Sequence, residues 1–163
     1  MIGLCMDYLE GKLKETGIKG KVRTTEKELK LCQDSHVGAV LFEKESFTRS
    51  GSKKVYSEGE SKKKRTKIFN RQSYFSVTIG EYSIGKCEEI FLKFMESLDR
   101  GILDEKGNYI YLEIEGAEWV DEKDSILRSK MAVQILIRFD GGIYKDSVYG
   151  NLQEATIENV EEV

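Results

Sequence analysis

Proline is absent from all 163 residues, and histidine and tryptophan occur once each, as His36 and Trp119. The missing proline removes one device that stiffens loops. A lone histidine excludes metal sites that draw two imidazoles from one helix. The three cysteines, Cys5, Cys32 and Cys87, are odd in number and far apart. That spacing fits neither a disulfide framework nor a zinc knuckle, and makes a reducing cytoplasm the expected place of synthesis. No apolar run approaches the roughly 20 residues needed to cross a bilayer. The stretch from Met1 to Gly17 holds Asp7 and Glu10 and lacks both a basic start and a continuous apolar run, so no ordinary secretory signal is expected.

What the chain does contain is charge around a real core. Hydrophobic residues make up 39% and charged ones 34%, the latter above the roughly 25% of an average globular protein. Ile2, Cys5, Met6, Leu9 and Leu13 fall on one helical face, with Gly17 placed to end that helix. Ile18 to Arg23 alternates weakly, as a short strand would. Thr25 and Glu28 have capping-box spacing for a short helix reaching about Cys32. Val37 to Phe47 favours a strand, and Ile68 to Ile79 alternates as a half-buried antiparallel strand does. Ile84, Cys87, Ile90, Phe91, Phe94, Met95 and Leu98 form the clearest amphipathic helix, with Gly101 expected to close it. Tyr109 to Ile114 and Met131 to Phe139 read as two further strands.

The resulting fold class is α+β: a mostly antiparallel sheet packed by one long and one or two shorter helices, with a long basic loop. Residues 1–145 form one expected domain. Within it 48–67, rich in Ser, Gly, Lys and Glu, is expected to be a flexible basic loop. Residues 146–163 are expected to be an acidic C-terminal tail.

Charge is unevenly distributed. Arg49, Lys53, Lys54, Lys62, Lys63, Lys64, Arg65, Lys67 and Arg71 face only Glu58 and Glu60 in the same window, which carries +7 in a chain of net −3. Asp104 to Asp124 carries −6, its acids including Glu113, Glu115, Glu118, Asp121, Glu122 and Asp124. The basic window could bind phosphates, dock on the acidic surface of a neighbouring copy, or be a solvated loop. Tyr56 is the lone aromatic from Thr48 to Arg65, and the segment matches no sequence-reading nucleic-acid motif, although its charge could give weak, salt-sensitive contact with DNA.

The search for chemistry finds no catalytic, cofactor or metal site. Cys32 and His36 stand at helical i,i+4 spacing, but no third group follows to orient them. Glu113, Glu115, Glu118, Asp121 and Asp124, with Lys130, are the best metal hypothesis, a metal-dependent nuclease site, set against the ordinary reading of acids on an exposed strand. Gly141-Gly142 lacks the lysine and helix of a phosphate cradle. Trp119 reads as an aromatic plug at a sheet end, or as an interface anchor. A non-enzymatic protein is expected.

Several stretches in succession carry a resemblance. These are Phe69-Asn70-Arg71-Gln72-Ser73-Tyr74-Phe75-Ser76-Val77 leading into the helix from Lys86 to Leu98, then Arg100 to Asn108, then Glu118-Trp119-Val120-Asp121, and finally Ala132 to Tyr144. Over roughly residues 37–145 this order is similar to the tail terminator (tail completion, minor tail protein) family of tailed bacteriophages and prophages. The resemblance implies a sheet backed by helices and assembly into a ring, commonly a hexamer, on the head-proximal end of a tail. That ring would stop tube growth and join the tail to the head, with the tail-tube and head-connector proteins as partners and DNA passing through its lumen. It implies synthesis in the host cytoplasm and residence in the virion tail, with no cofactor and no membrane. The alternatives are another head–tail connector or tail-tube component, or a nucleic-acid-binding module using the basic segment.

Overall fold

The computed structural model describes residues 1–59, 61–121 and 131–148; within these, the side chains of Glu58, Ser61 and Asp121 are outside the description. Expectations concerning Glu60, Glu122, Lys123, Asp124, Lys130 and residues 149–163 lie outside the described residues.

The first helix, α1 (Ile2–Glu15), buries Cys5, Leu9 and Leu13, a four-residue repeat that stacks on one face. Its last turn passes through Thr16 into Gly17 at φ 119, a conformation that a side chain resists, so glycine ends the helix as its position predicts. In α2 (Glu26–Lys30) the Thr25 hydroxyl accepts the Glu28 N–H at 3.2 Å, the expected cap. Between these helices the chain makes no strand ladder. It touches the sheet through one parallel bridge, Arg23 to Ala39.

The sheet is built from β1 (Val37–Arg49), β2 (Lys53–Glu58), β3 (Ser61–Glu81), β4 (Gly101–Leu103), β5 (Tyr109–Asp121) and β6 (Met131–Val148), with α3 (Ile84–Ser97) between β3 and β4. All pairings are antiparallel, in the order β1-β3-β6-β5-β4. β2 follows β1 along the same edge of β3: Arg49 lies opposite Phe69, and Lys53 opposite Thr66. The helices are two of 14 residues and one of five, rather than one long helix with shorter companions. Gly101 does not close α3, which ends at Leu98 in an extended conformation. It begins β4, where a Cβ would run into the Ile110 carbonyl.

The expected loop at 48–67 is a correction. It consists of the end of β1, all of β2 and the first third of β3, folded as a hairpin whose turn contains Gly59 at φ 61. Its residues can form a ladder because β3 is paired on both sides, with Lys64 between Val55 and Ser147. Composition pointed to a loop because neither side of this ribbon is buried, so polar residues occupy both. Of the expected tail at 146–163, Asp146, Ser147 and Val148 belong to β6 instead.

One side of the sheet carries Val40, Phe75, Val77, Ile79, Ile110, Val133, Ile135, Ile137 and Phe139, all buried against α1 and α3. Each such side chain contributes about 1.5–3 kcal/mol by leaving water. Phe75 is the hub, edge-on to Phe42 and to Phe139 with ring centroids 5.6 Å apart in both cases. The opposite side is polar and open over its centre. Only its far end is covered, where Leu29 and Cys32 beside α2 meet Val37 and Ala132. The helix layer stops at Met1, whose sulfur sits 2.7 Å from where a Cβ on Gly141 would be. Past that point β1–β2, β3 and β6 continue as a three-stranded arm.

Candidate assembly surface

Strand alternation and register sort the arm's basic residues onto two sides. Lys54, Lys63, Arg65 and Lys67 share a side with Tyr56, Tyr144 and Asp146, because Lys54 pairs with Arg65, Arg65 with Asp146 and Lys67 with Tyr144. On this side Arg65 is neutralised within the molecule, and Lys67 lies over the Tyr144 ring. The Arg65 guanidinium donates to both oxygens of Asp146, at 2.7 and 2.8 Å. It also donates to the Asn108 side chain at 3.0 Å and the Lys106 carbonyl at 3.1 Å, and it lies over the Tyr56 ring. The hydrogen bonds from Arg65 hold the Asp146 carboxyl below its usual range, and the same bonds raise the guanidinium.

The turn that receives Arg65 is itself fixed. Burial alone would raise the Asp104 carboxyl, but bonds from the Asn108 side chain and from the Asn108 and Lys106 N–H groups outweigh it and hold it low. Arg65 therefore ties β3, β6 and the β4–β5 turn together, a bracing function rather than a free cationic surface.

The other side of the arm differs. Lys53 lies opposite Thr66, Val55 opposite Lys64 and Lys62 opposite Ser57, while Lys145 lies opposite Thr66 from β6. These residues face the same way as the helices. Lys53, Lys62, Lys64 and Lys145 make no ion pair with any described residue, and Val55 among them is 49% exposed. Towards the helices the same side continues through Arg49, stacked on Phe69, to exposed Phe47 and Ile143. It ends at Arg71, which is neutralised by Glu45 at 2.7 Å.

Of the acidic residues named from the sequence, Glu113 and Glu118 occupy the open side of the sheet. Glu113 lies opposite Arg138, and Glu118 opposite Gln134. A bulge between Ile114 and Gly116 inserts one residue, which turns Glu115 to the Arg138 guanidinium and keeps Glu118 on the side of Glu113. Glu43 joins them from β1, accepting the Ser76 hydroxyl, and Arg138 also holds Asp140 at 3.0 Å. Lys44, over the Tyr74 ring, is the remaining cation nearby. Glu43, Lys44, Tyr74, Glu115 and Glu118 line a trough of about 620 Å³ together with Ser76, Gln134 and Leu136. Tyr109 and Tyr111, stacked edge-on and both exposed, extend the surface towards the arm. The Asp121 backbone pairs with Met131, and Glu122 and Asp124 are outside the described residues.

Cys32 and His36 are not a unit. α2 ends at Lys30, so the helical spacing between them is not realised. Cys32 instead approaches Asp34. His36 accepts the Lys19 N–H on Nε2 at 3.1 Å and presents Nδ1 to the nearly buried Glu81, a partner that sequence spacing could not reveal across 45 positions. This contact joins the residue before β1 to the last residue of β3. Trp119 meets Phe91 of α3 edge-on at 5.5 Å yet stays 43% exposed, so it closes the core beside an edge strand. Among the described residues no three His, Cys, Asp or Glu side chains converge as metal ligands, and no helix is long and apolar enough to cross a membrane.

Comparison with protein-family profiles and with curated proteins finds no match to this chain.

Proposed function

We propose that this protein is a structural subunit of a bacteriophage or prophage tail. On this reading it resembles a tail terminator whose ring caps the head-proximal end of the tail tube and joins tail to head. The observation that carries the reading is the three-stranded arm, which extends past the helix layer with exposed Phe47, Val55 and Ile143 and, on its helix side, lysines that have no acidic partner among the described residues. A projecting ribbon with apolar and charged residues and no fold partner is what an assembling subunit offers to its neighbours. The order of sequence stretches over residues 37–145 supports the same reading. The expected partners are further copies of the chain, the tail-tube protein and a head-connector protein, with DNA in the lumen and no chemistry required of the subunit.

The test is the mass of the purified protein by light scattering over a concentration series, with negative-stain images, alone and after mixing with tail tubes. Closed rings, free or on tube ends, are the expected result. Long filaments from the protein alone would make it a tube subunit instead. Monomers that also ignore tube ends would overturn the assembly reading.

A second reading has one specific observation behind it. Lys53, Lys62, Lys64 and Lys145, which have no acidic partner among the described residues, would suit a phosphate backbone. A nucleic-acid-binding module predicts tight binding of a DNA duplex by the isolated protein that falls steeply as salt rises.

A further inference from the structure

We infer that the helix side of the arm docks on the open, acidic side of the sheet in a second copy of the same chain, so that successive subunits stack sheet on sheet, head to tail. The inference rests on the assembly reading and specifies the two surfaces that would meet.

Three observations support this pairing over others. First, the charges are complementary and unspent. Lys53, Lys62, Lys64 and Lys145 have no acidic partner among the described residues, and neither Glu113 nor Glu118 has a cationic one. By contrast, the other side of the arm spends Arg65 on Asp146. The sheet's own Arg138 is likewise satisfied by Glu115 and Asp140. Secondly, both surfaces carry exposed apolar side chains among the charges: Phe47, Val55 and Ile143 on the arm, and Leu136, Tyr109 and Tyr111 on the open side. Electrostatic steering then brings together surfaces that also gain from leaving water. Thirdly, the two surfaces lie on opposite sides of one sheet and at different distances along it. They cannot meet within one molecule, and a two-fold pairing of like patches would set lysine against lysine. A heterologous contact repeated from copy to copy remains, and it closes into a ring when its rotation divides a full turn. A stacked ribbon and sheet would lie about 10 Å apart, with side chains filling the gap.

The experiment is a charge swap. Variant one carries Lys62→Glu and Lys64→Glu; variant two carries Glu113→Lys and Glu118→Lys. Lys62, Glu113 and Glu118 are exposed and Lys64 is half-buried; none of the four makes an ion pair with a described residue, and circular dichroism with urea melts checks that each variant folds as the parent does. Each variant alone should lose association, read by light scattering, or lose ring formation on tube ends if the parent assembles only there. An equimolar mixture should regain it. In the mixture every glutamate arm meets a lysine sheet and every lysine arm meets a glutamate sheet, so subunits alternate and rings have even numbers of copies. Raising sodium chloride should weaken parent assembly.

Parent rings that neither variant disturbs would overturn this inference and leave the assembly reading standing. Loss in both variants without recovery on mixing would also overturn it, since the two surfaces would then be needed for separate contacts. Variant one losing DNA binding while keeping parent-like association would assign the lysines to nucleic acid instead. A parent that stays monomeric alone and on tubes would remove the inference and the assembly reading together.

Discussion

Tyr74 and Phe75 are adjacent in β3, yet the structure predicts very different consequences for truncating them, and the comparison tests which side of the sheet is core. Phe75 is fully buried between Phe42 and Phe139. Phe75→Ala removes a side chain whose loss in a core typically costs about 3–5 kcal/mol, and part of this is the roughly 0.5–1.5 kcal/mol of each edge-on aromatic pair. Tyr74 points to the open side, with Lys44 5.0 Å above its ring. Tyr74→Ala should cost about 0.5–1.5 kcal/mol, from partial burial and an exposed cation–π contact. Domains of this kind have only about 5–15 kcal/mol to lose, so the first change should remove a large fraction of the stability and the second a small one. Urea unfolding followed by the fluorescence of Trp119, the one tryptophan, reads both, because its ring rests on Phe91 in the folded state. Melts at two protein concentrations separate folding from any association linked to it. Equal losses at the two positions, or a loss below about 1.5 kcal/mol for Phe75→Ala, would refute the assignment of covered and open sides on which the docking surfaces depend.

Other consequences can be read with simple assays. Burial pushes the Cys5 thiol up to about 12 and the Cys87 thiol up to about 11, so neither forms thiolate near neutrality. Iodoacetamide at mildly alkaline pH should leave both unmodified in the folded protein, while urea exposes them; intact mass counts the adducts. Burial alone would raise the Glu45 carboxyl, but the bonds from Arg71 and Ser73 outweigh it and hold it below its ordinary value. Its stabilisation is therefore present above the ordinary carboxylate pKa and is lost as pH falls through the depressed one. The urea midpoint of the parent should fall more steeply on acidification than that of Glu45→Gln. Gly101→Ala would force a methyl group into the Ile110 carbonyl and the Tyr109 ring; a loss of about 1–3 kcal/mol is expected, read as a lower melting temperature.

How far the sequence revealed this fold depended on burial. In 69–79 and 131–139 one side of each strand is core and the other is not, so a two-residue hydrophobic period was visible and the strands were placed. The same physics hid the arm. Lys62, Lys64 and Thr66 on one side and Lys63, Arg65 and Lys67 on the other are all polar, so an alternation existed with nothing hydrophobic to mark it. β4 was missed because three residues carry no period. The acidic site was half visible. Glu113 and Glu115 sit two apart, as one side of a strand requires, but Glu118 reaches that side only through the bulge before Gly116. Basic residues could be counted from the sequence, yet their division into a braced set around Arg65 and a set around Lys64 without acidic partners among the described residues depends on register with β6. Glu81 as the partner of His36 likewise follows from the path of β3 and from nothing local.

The order of strands in the sheet has a consequence during synthesis. β6 lies between β3 and β5, but it is the last described strand to leave the ribosome. At roughly 5–20 residues per second, several seconds separate the end of β3 from the completion of β6. A β-hairpin closes in about 1–10 μs, so β1, β2 and β3 can pair long before β6 exists. Throughout that interval β3 has a bare edge up to 21 residues long, with Phe75, Val77 and Ile79 beside it and no floor complete enough to seat α3. The nascent chain is then a template for any passing strand, including the same hairpin on a neighbouring polysome. Lys62, Lys63, Lys64 and Arg65 at its leading end would put a like-charge penalty on parallel, in-register encounters between unfinished chains.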